Sequence, residues 1–140
     1  MSLMNLMNIT RALSDENRVR ILMALRSREF CVCQITAFLD LSPSTTSKHL
    51  SVLKQARLVE GKKEGKWVYY RLADSPDSYP PAREAIAWLI RSIGGNSSVK
   101  KDEARIRKIL EEERTRYGID GCRTPDEFHS VAVHAVVPND

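Results

Sequence analysis

Cysteine is scarce in this chain, with three residues in 140: Cys31, Cys33 and Cys122. An odd number, with two of them a single residue apart, excludes a disulfide framework of the kind that staples small secreted domains. Long apolar runs are missing too. The stretch around Ala85 to Ile90 is broken well short of the ~20 residues that a membrane-spanning helix needs, so no membrane partner is expected. Met1 to Asn8 carries no Lys or Arg ahead of an apolar run, so a secretory signal is not supported and the expected location is cytoplasmic. No internal repeat is present, and residues 82–93 contain no histidine. What remains is 42% hydrophobic and 29% charged residues. That mixture describes one folded domain with a short appendage and excludes a disordered, collagenous or multidomain chain. A domain of this size buries roughly two thirds of its unfolded surface, which leaves room for a partner subunit to complete the apolar interior.

The net charge of +4 is unevenly distributed. Residues 42–72 hold seven bases (Lys48, Lys54, Arg57, Lys62, Lys63, Lys66 and Arg71) against Glu60 and Glu64, a local excess of +5, and the rest of the chain sums to −1. A basic window on an otherwise balanced surface points to a polyanion, of which nucleic acid is the commonest soluble example.

Apolar spacing places two helices first, over Leu6 to Leu13 and then from Ser14-Asp15-Glu16 to about Arg28, with Ser14 as the expected cap of the second. Val32, Ile35, Phe38 and Leu39 mark a third helix over about 32–40, with the cysteines at its start. Ser42-Pro43 opens a fourth helix that runs to about Gln55, Ser as N-cap and Pro at the first helical position. Thr46, Leu50 and Leu53 share one face of it, while Ser44, Thr45, Ser47, Lys48 and Ser51 lie on others. From Leu58 to Leu72 the period changes to two around Glu64-Gly65, as in a β-hairpin with a basic tip. A proline-rich linker leads into a fifth helix over 82–93, terminated by Gly94-Gly95, with Asn96 to Ser98 read as a hinge. Residues 99–117 read as a charged helix whose narrow apolar stripe suits it to lie on a neighbour. The tail 118–140 has no assignment. The expected division is therefore a domain over 1–95 and a C-terminal extension over 96–140.

The expected fold is mainly α with a two-stranded β-hairpin: two short helices joined by a tight turn, then a basic hairpin, which is a winged helix-turn-helix. Each part has a physical task on double-stranded DNA. The second helix of the pair fits the major groove, where the short hydroxyls of Ser44, Thr45 and Ser47 can reach base edges. Lys48 and Lys54 reach phosphates, and His49 is expected to meet phosphate or a neighbouring helix. Lys62, Lys63 and Lys66 of the hairpin straddle the adjacent backbone and supply salt-sensitive affinity. The apolar stripes of the first and fifth helices exceed what one small core needs, as expected of a homodimer presenting two reading helices ~34 Å apart.

Three segments then carry a resemblance. Ala12 to Leu22, reading ALSDENRVRIL, Ser47 to Leu53, reading SKHLSVL, followed by Leu58-Val59, and Gly65 to Tyr70, reading GKWVYY, are similar to the ArsR/SmtB family of bacterial repressors. The likeness extends over residues 5 to about 93. It implies a homodimer built on the first and fifth helices and bound to a near-palindromic operator. One departure is Arg57, where the family usually has Gly after the reading helix; if that position needs φ > 0, Arg is mildly strained.

Glu29 to Ile35, reading EFCVCQI, resembles the arsenite-type sensing box at the start of the family's third helix. Thiolates select soft ions, so As(III) and Sb(III) are the expected inducers, with Cu(I), Zn(II), Cd(II) or Pb(II) as alternatives; no resident cofactor is expected. On a regular helix Cys31 and Cys33 would lie about 200° apart, so capture of one ion should require an extended or unwound first turn. The arsenite pattern commonly has a third cysteine where this chain has Thr36, which leaves Cys122 as a candidate third ligand. The acid and histidine metal site of the family's fifth helix is missing. Two rivals stay open. One is a repressor of the same fold that senses thiol oxidation. The other is a thiol redox enzyme using Cys31-Val32-Cys33, disfavoured because neither a βαβ pattern nor an acid/base partner surrounds the pair.

Overall fold

Asp15, rather than Ser14, starts the second helix. Its carboxylate accepts from the backbone N–H of Asn17 at 2.8 Å and of Arg18 at 3.2 Å, which satisfies two of the donors a helix start leaves unpaired. Ser14 instead closes helix α1 (Leu3–Leu13), its hydroxyl donating to the Arg11 carbonyl at 2.8 Å. Helix α2 follows over Glu16–Ala24. The computed structural model describes residues 1–117. Cys122, His129 and His134 lie outside the described residues.

Partial burial pushes the pKa of Asp15 up, but the N–H donors of Arg18 and Asn17 and the charges of Arg18 and His49 outweigh it and hold the carboxyl below its ordinary 3.8. A depressed folded-state pKa stabilises the fold above the unfolded value, and that stabilisation is lost as pH falls through the folded value. Asp15→Ala should therefore cost about 1 kcal/mol at neutral pH, the usual worth of an N-cap. Denaturant titrations should show the gap between variant and parent closing in acid. A gap that stays constant would remove the capping carboxylate from the account.

A short strand β1 (Phe30–Cys31) runs directly into helix α3 (Val32–Leu39), and after a turn at Asp40-Leu41 helix α4 (Pro43–Gln55) begins with Ser42 accepting from the Thr45 N–H at 3.2 Å. Asp40 takes the left-handed conformation, φ 57°, to make that turn. Helix α4 ends in a Schellman arrangement. Leu58 N–H returns to the Leu53 carbonyl at 3.0 Å, Arg57 N–H to Lys54 at 3.0 Å, and Arg57 sits at φ 62°. The position does need φ > 0, and the Arg57 guanidinium is retained over the Tyr79 ring, 4.5 Å from its centroid.

Strands β2 (Val59–Glu64) and β3 (Trp67–Leu72) form the hairpin, with Glu64 opposite Trp67 across a two-residue turn in which Gly65 adopts φ +63°. The expected two-stranded hairpin is extended by a third strand, the sheet order being β1-β3-β2. Two residues of β1 are too few for a period-two pattern to register, yet Phe30 pairs with Tyr70 and Cys31 with Tyr69. Leu22, Val32, Leu50, Leu53, Leu58 and Tyr70 are the fully buried centre around which these elements pack.

Helix α5 (Pro80–Ile93) buries Ala82, Ile86 and Leu89 and leaves Trp88 55% exposed. Gly94 ends it where a Cβ would come within 2.6 Å of the Ile90 carbonyl oxygen and 2.8 Å of Arg26 Nη1. Helix α6 (Ser97–Tyr117) begins almost at once, Asn96 accepting from the Ser98 N–H at 2.8 Å, so the expected hinge is only a cap. The neighbour on which α6 lies is the chain's own α2 and α3. Val99, Ile106 and Leu110 join the core. Arg20 on α2 grips Asp102 through two hydrogen bonds of 3.0 and 3.2 Å, and Arg26 pairs with Glu103. Arg105 caps the end of α3, donating to the carbonyls of Phe38 at 2.9 Å and Ala37 at 3.1 Å. Among the described residues no helix is long and apolar enough to cross a membrane.

Candidate nucleic-acid interface and thiol site

The outward face of α4 is a short polar row. Ser44, Lys48, Ser51 and Lys54 are exposed, and Thr45 is half-buried beside them. At its start the Ser42 hydroxyl donates to Thr45 Oγ1 at 2.9 Å and lies 3.3 Å from Ser44 Oγ, so the hydroxyls form one cluster at the positive end of the helix. Ser47 departs from expectation: it is 7% exposed, turned inward beside the buried Thr46. The apolar face of α4 is wider than Thr46, Leu50 and Leu53 alone, because α4 packs against α1, α2 and α3 together. Ser47 is therefore not presented to a base edge.

His49 meets a neighbouring helix. Its Nδ1 lies 3.2 Å from Arg18 Nη1, and Arg18 is itself fixed by donating to the carbonyls of Ala12 at 3.0 Å and Arg11 at 2.9 Å. Helix α4 is thus tied to the junction of α1 and α2, which sets its angle to the body.

Lys62, Lys63 and Lys66 are all exposed on the hairpin. The basic tip is partly balanced, since Lys62 Nζ lies 3.3 Å from Glu64 Oε1 and Arg71 Nε donates to Glu60 Oε2 at 3.0 Å. Such exposed pairs are worth at most about 1 kcal/mol and yield readily to a stronger anion.

The thiol site lies where β1 becomes α3. Cys31 is the N-cap, in extended conformation at φ −83° and ψ 164°, and Cys33 sits in the first turn, the two Cα atoms 5.5 Å apart and the two sulfurs joined as a disulfide. This is a local link across one residue, not a framework. Because Cys31 belongs to a strand, its side chain leaves the backbone on the side of Cys33, and the pair converges with α3 intact. Of the two conformations expected to bring the sulfurs together, extended or unwound, the structure has the extended one, supplied by β1 with α3 intact. Both are buried, at 1% and 5% exposure, and the rings of Trp67 and Tyr69 pack over them. These two rings, which no sequence motif connects to the cysteines, are on β3, the strand that carries the wing. Gln34 Oε1 accepts from the Cys31 N–H at 3.0 Å.

Reduced by two molecules of an external thiol, which leave joined as their own disulfide, the bonded sulfurs become two thiols at hand for one soft ion. Among the described residues no group of three or more His, Cys, Asp or Glu is placed to hold a metal. Among the described residues the donor set is therefore two sulfurs, suited to a thiophilic ion that completes its shell from elsewhere.

Residues 15–61 match the family model described as bacterial regulatory protein, arsR family. The chain is similar to the cadmium resistance transcriptional regulatory protein CadC of Listeria innocua, 51% identical over 59 residues, covering 41% of this chain and 50% of that one. It is also similar to the arsenical resistance operon repressor of Escherichia coli K12, 38% identical over 74 residues, 52% of this chain and 63% of the other. The chain thus spans about half the length of the curated relatives it matches. Among solved structures, the homodimeric winged helix-turn-helix DNA-binding domain of Mb0332 from Mycobacterium bovis superposes with a TM-score of 0.56 at 26% identity, covering 68% of this chain and 83% of that one. The fold is a winged helix-turn-helix, these relatives are regulatory proteins rather than enzymes, and residues 15–61 of the chain form an ArsR-family helix-turn-helix domain.

Proposed function

We propose that this chain is a homodimeric transcriptional repressor that leaves its operator when a trivalent metalloid, arsenite or antimonite, binds Cys31 and Cys33. The observation that carries the reading is the convergence of two buried sulfurs beneath Trp67 and Tyr69, on the strand that continues into the basic wing. As(OH)3 exchanges two hydroxides for the two thiolates, the thiol protons leaving in two molecules of water. Two As–S bonds replace two As–O bonds, and the third position keeps hydroxide, a small thiol or Cys122. Cys122 is auxiliary in this reading. The names of two relatives, a cadmium and an arsenical resistance regulator, support a soft-ion inducer of this class.

Residues 1–95 serve DNA binding and dimerisation, and 96–140 form an extension. Ser44, Thr45 and Lys48 face the major groove, Lys54 the backbone beside it, and Lys62, Lys63 and Lys66 the flanking phosphates. His49 acts from behind, setting the angle of α4 through Arg18. The exposed Leu3, Met4, Leu6 and Met7 of α1, with Trp88 of α5, supply the apolar surface for a second copy; sedimentation showing only monomer at micromolar concentration would defeat that assignment. Binding follows linkage: the ligand favours the conformation in which the two wings and reading helices no longer fit successive grooves.

The joined sulfurs favour a second reading, in which oxidation is the signal: two thiols and hydrogen peroxide give the disulfide and two waters. Titration of a labelled promoter fragment with the protein, repeated with sodium arsenite and with peroxide, separates the two. Arsenite alone should release the DNA, with an arsenic adduct in the mass spectrum. Release by peroxide alone, with loss of two hydrogens, would replace the metalloid reading.

A further inference from the structure

The thiol site is physically connected to α6. Cys31 is 1% exposed, so water cannot satisfy its N–H, and the acceptor it needs is Gln34 Oε1 at 3.0 Å. An amide side chain can present either end, and nothing on α3 decides which. The decision comes from α6, where Glu113 Oε2 accepts from Gln34 Nε2 at 3.0 Å. With Glu113 Oε2 as the acceptor, the NH2 end of the amide is held toward α6 and the carbonyl end is turned to Cys31. Gln34 is 3% and Glu113 8% exposed, so neither has solvent as a ready substitute, and a carboxylate buried this far needs the bonds it makes.

We infer that Glu113 is a positioning residue for the cysteine pair: through Gln34 it holds Cys31 in the extended N-cap conformation that faces its sulfur to Cys33, making α6 part of the sensor. Coupling of this kind is reciprocal, so closure of the pair, by a disulfide or by a bridging metalloid, tightens the docking of α6, and loosening α6 opens the pair. The role in release rests on the proposed reading of the pair as sensor. The coupling itself is measured without DNA.

The experiment uses the full chain in glutathione buffers, where two thiols and one oxidised glutathione give the disulfide and two reduced glutathiones, the products being counted by mass after alkylation. Glu113→Ala should lower the equilibrium constant for closure about tenfold, ~30 mV for this two-electron couple, and weaken sodium arsenite binding by a similar factor. Glu113→Gln, which still offers an acceptor to Gln34, should stay within about twofold of the parent in both. Asp102→Ala loosens α6 at its far end, on Arg20, and should lower thermal stability without moving the potential. If Glu113→Ala does not fold, the double variant Gln34→Leu with Glu113→Leu replaces both polar partners by apolar groups of similar shape and should show the same tenfold loss. An unchanged potential in whichever variant folds, or a shift by Asp102→Ala as large as that of Glu113→Ala, overturns the inference. Cys31→Ser that still releases DNA with arsenite overturns the sensor reading instead and leaves the coupling standing.

Discussion

Cys31→Ser or Cys33→Ser in the full chain will bind the promoter fragment as the parent does and will fail to release it on addition of sodium arsenite. Neither sulfur is on the polar row of α4 or at the wing tip, and both are buried under Trp67 and Tyr69, so DNA affinity should stay within about threefold, a change of about 0.6 kcal/mol. Arsenite binding should fall far more. With both thiols in place the second As–S bond forms within the molecule, and the effective concentration of such a second attachment is typically worth a factor of about 10² to 10⁴. Removing one thiol forfeits that factor. Cys122→Ser should keep most of the response. If it abolishes release as fully as Cys31→Ser, the site has three sulfurs and Cys122 is a ligand of equal standing. If both Cys31 and Cys33 can be replaced while arsenite still releases the DNA, the inducer is read elsewhere.

Replacing Lys62, Lys63 and Lys66 together with Ala should weaken binding to specific and unrelated duplexes alike, and should reduce the steepness of log K against log salt by up to about 3 per wing, close to one for each phosphate that is no longer neutralised. Lys62 is 3.3 Å from Glu64, so a phosphate must first draw it from that partner. Lys62→Ala alone should therefore flatten the slope less than Lys66→Ala. Sequence preference should be nearly untouched, since these lysines position the duplex and do not read it. A triple variant with the parent's salt dependence removes the wing from the interface. By contrast, on the proposed role of α4, Thr45→Ala should alter preference between operator variants, by about 1–3 kcal/mol for the loss of one base contact.

The order of the elements was legible in the sequence because it depends on local physics. Ser42-Pro43 is a helix start wherever it occurs before an apolar 3.6 period, and the change to period two after Leu58, with Gly65 at the turn, is a hairpin for reasons internal to those residues. The basic window over 42–72 needed only counting. The Arg57 conformation was likewise foreseeable, since a helix that stops with Leu58 folded back on Leu53 demands a left-handed residue between.

What the sequence left open depended on which surfaces meet. Asp15 and Ser14 are both good caps, and the choice fell to Asp15 because its carboxylate also meets Arg18, which is fixed to the end of α1. Ser47 looks like its neighbours Ser44 and Thr45 on any helical wheel, yet it is buried because three helices close around α4. The strand β1 has only two residues, and it exists because β3 offers it an edge to pair with; that pairing makes Cys31 extended, which lets the cysteines converge. Gln34 and Glu113 are 79 positions apart and carry no motif between them. Local periodicity and capping chemistry sufficed to specify the winged helix-turn-helix, because backbone preferences act over a few residues. The thiol site with its aromatic cover and its tie to α6 was decided by tertiary packing alone, because burial and hydrogen-bond completion are properties of neighbours that only the folded chain brings together.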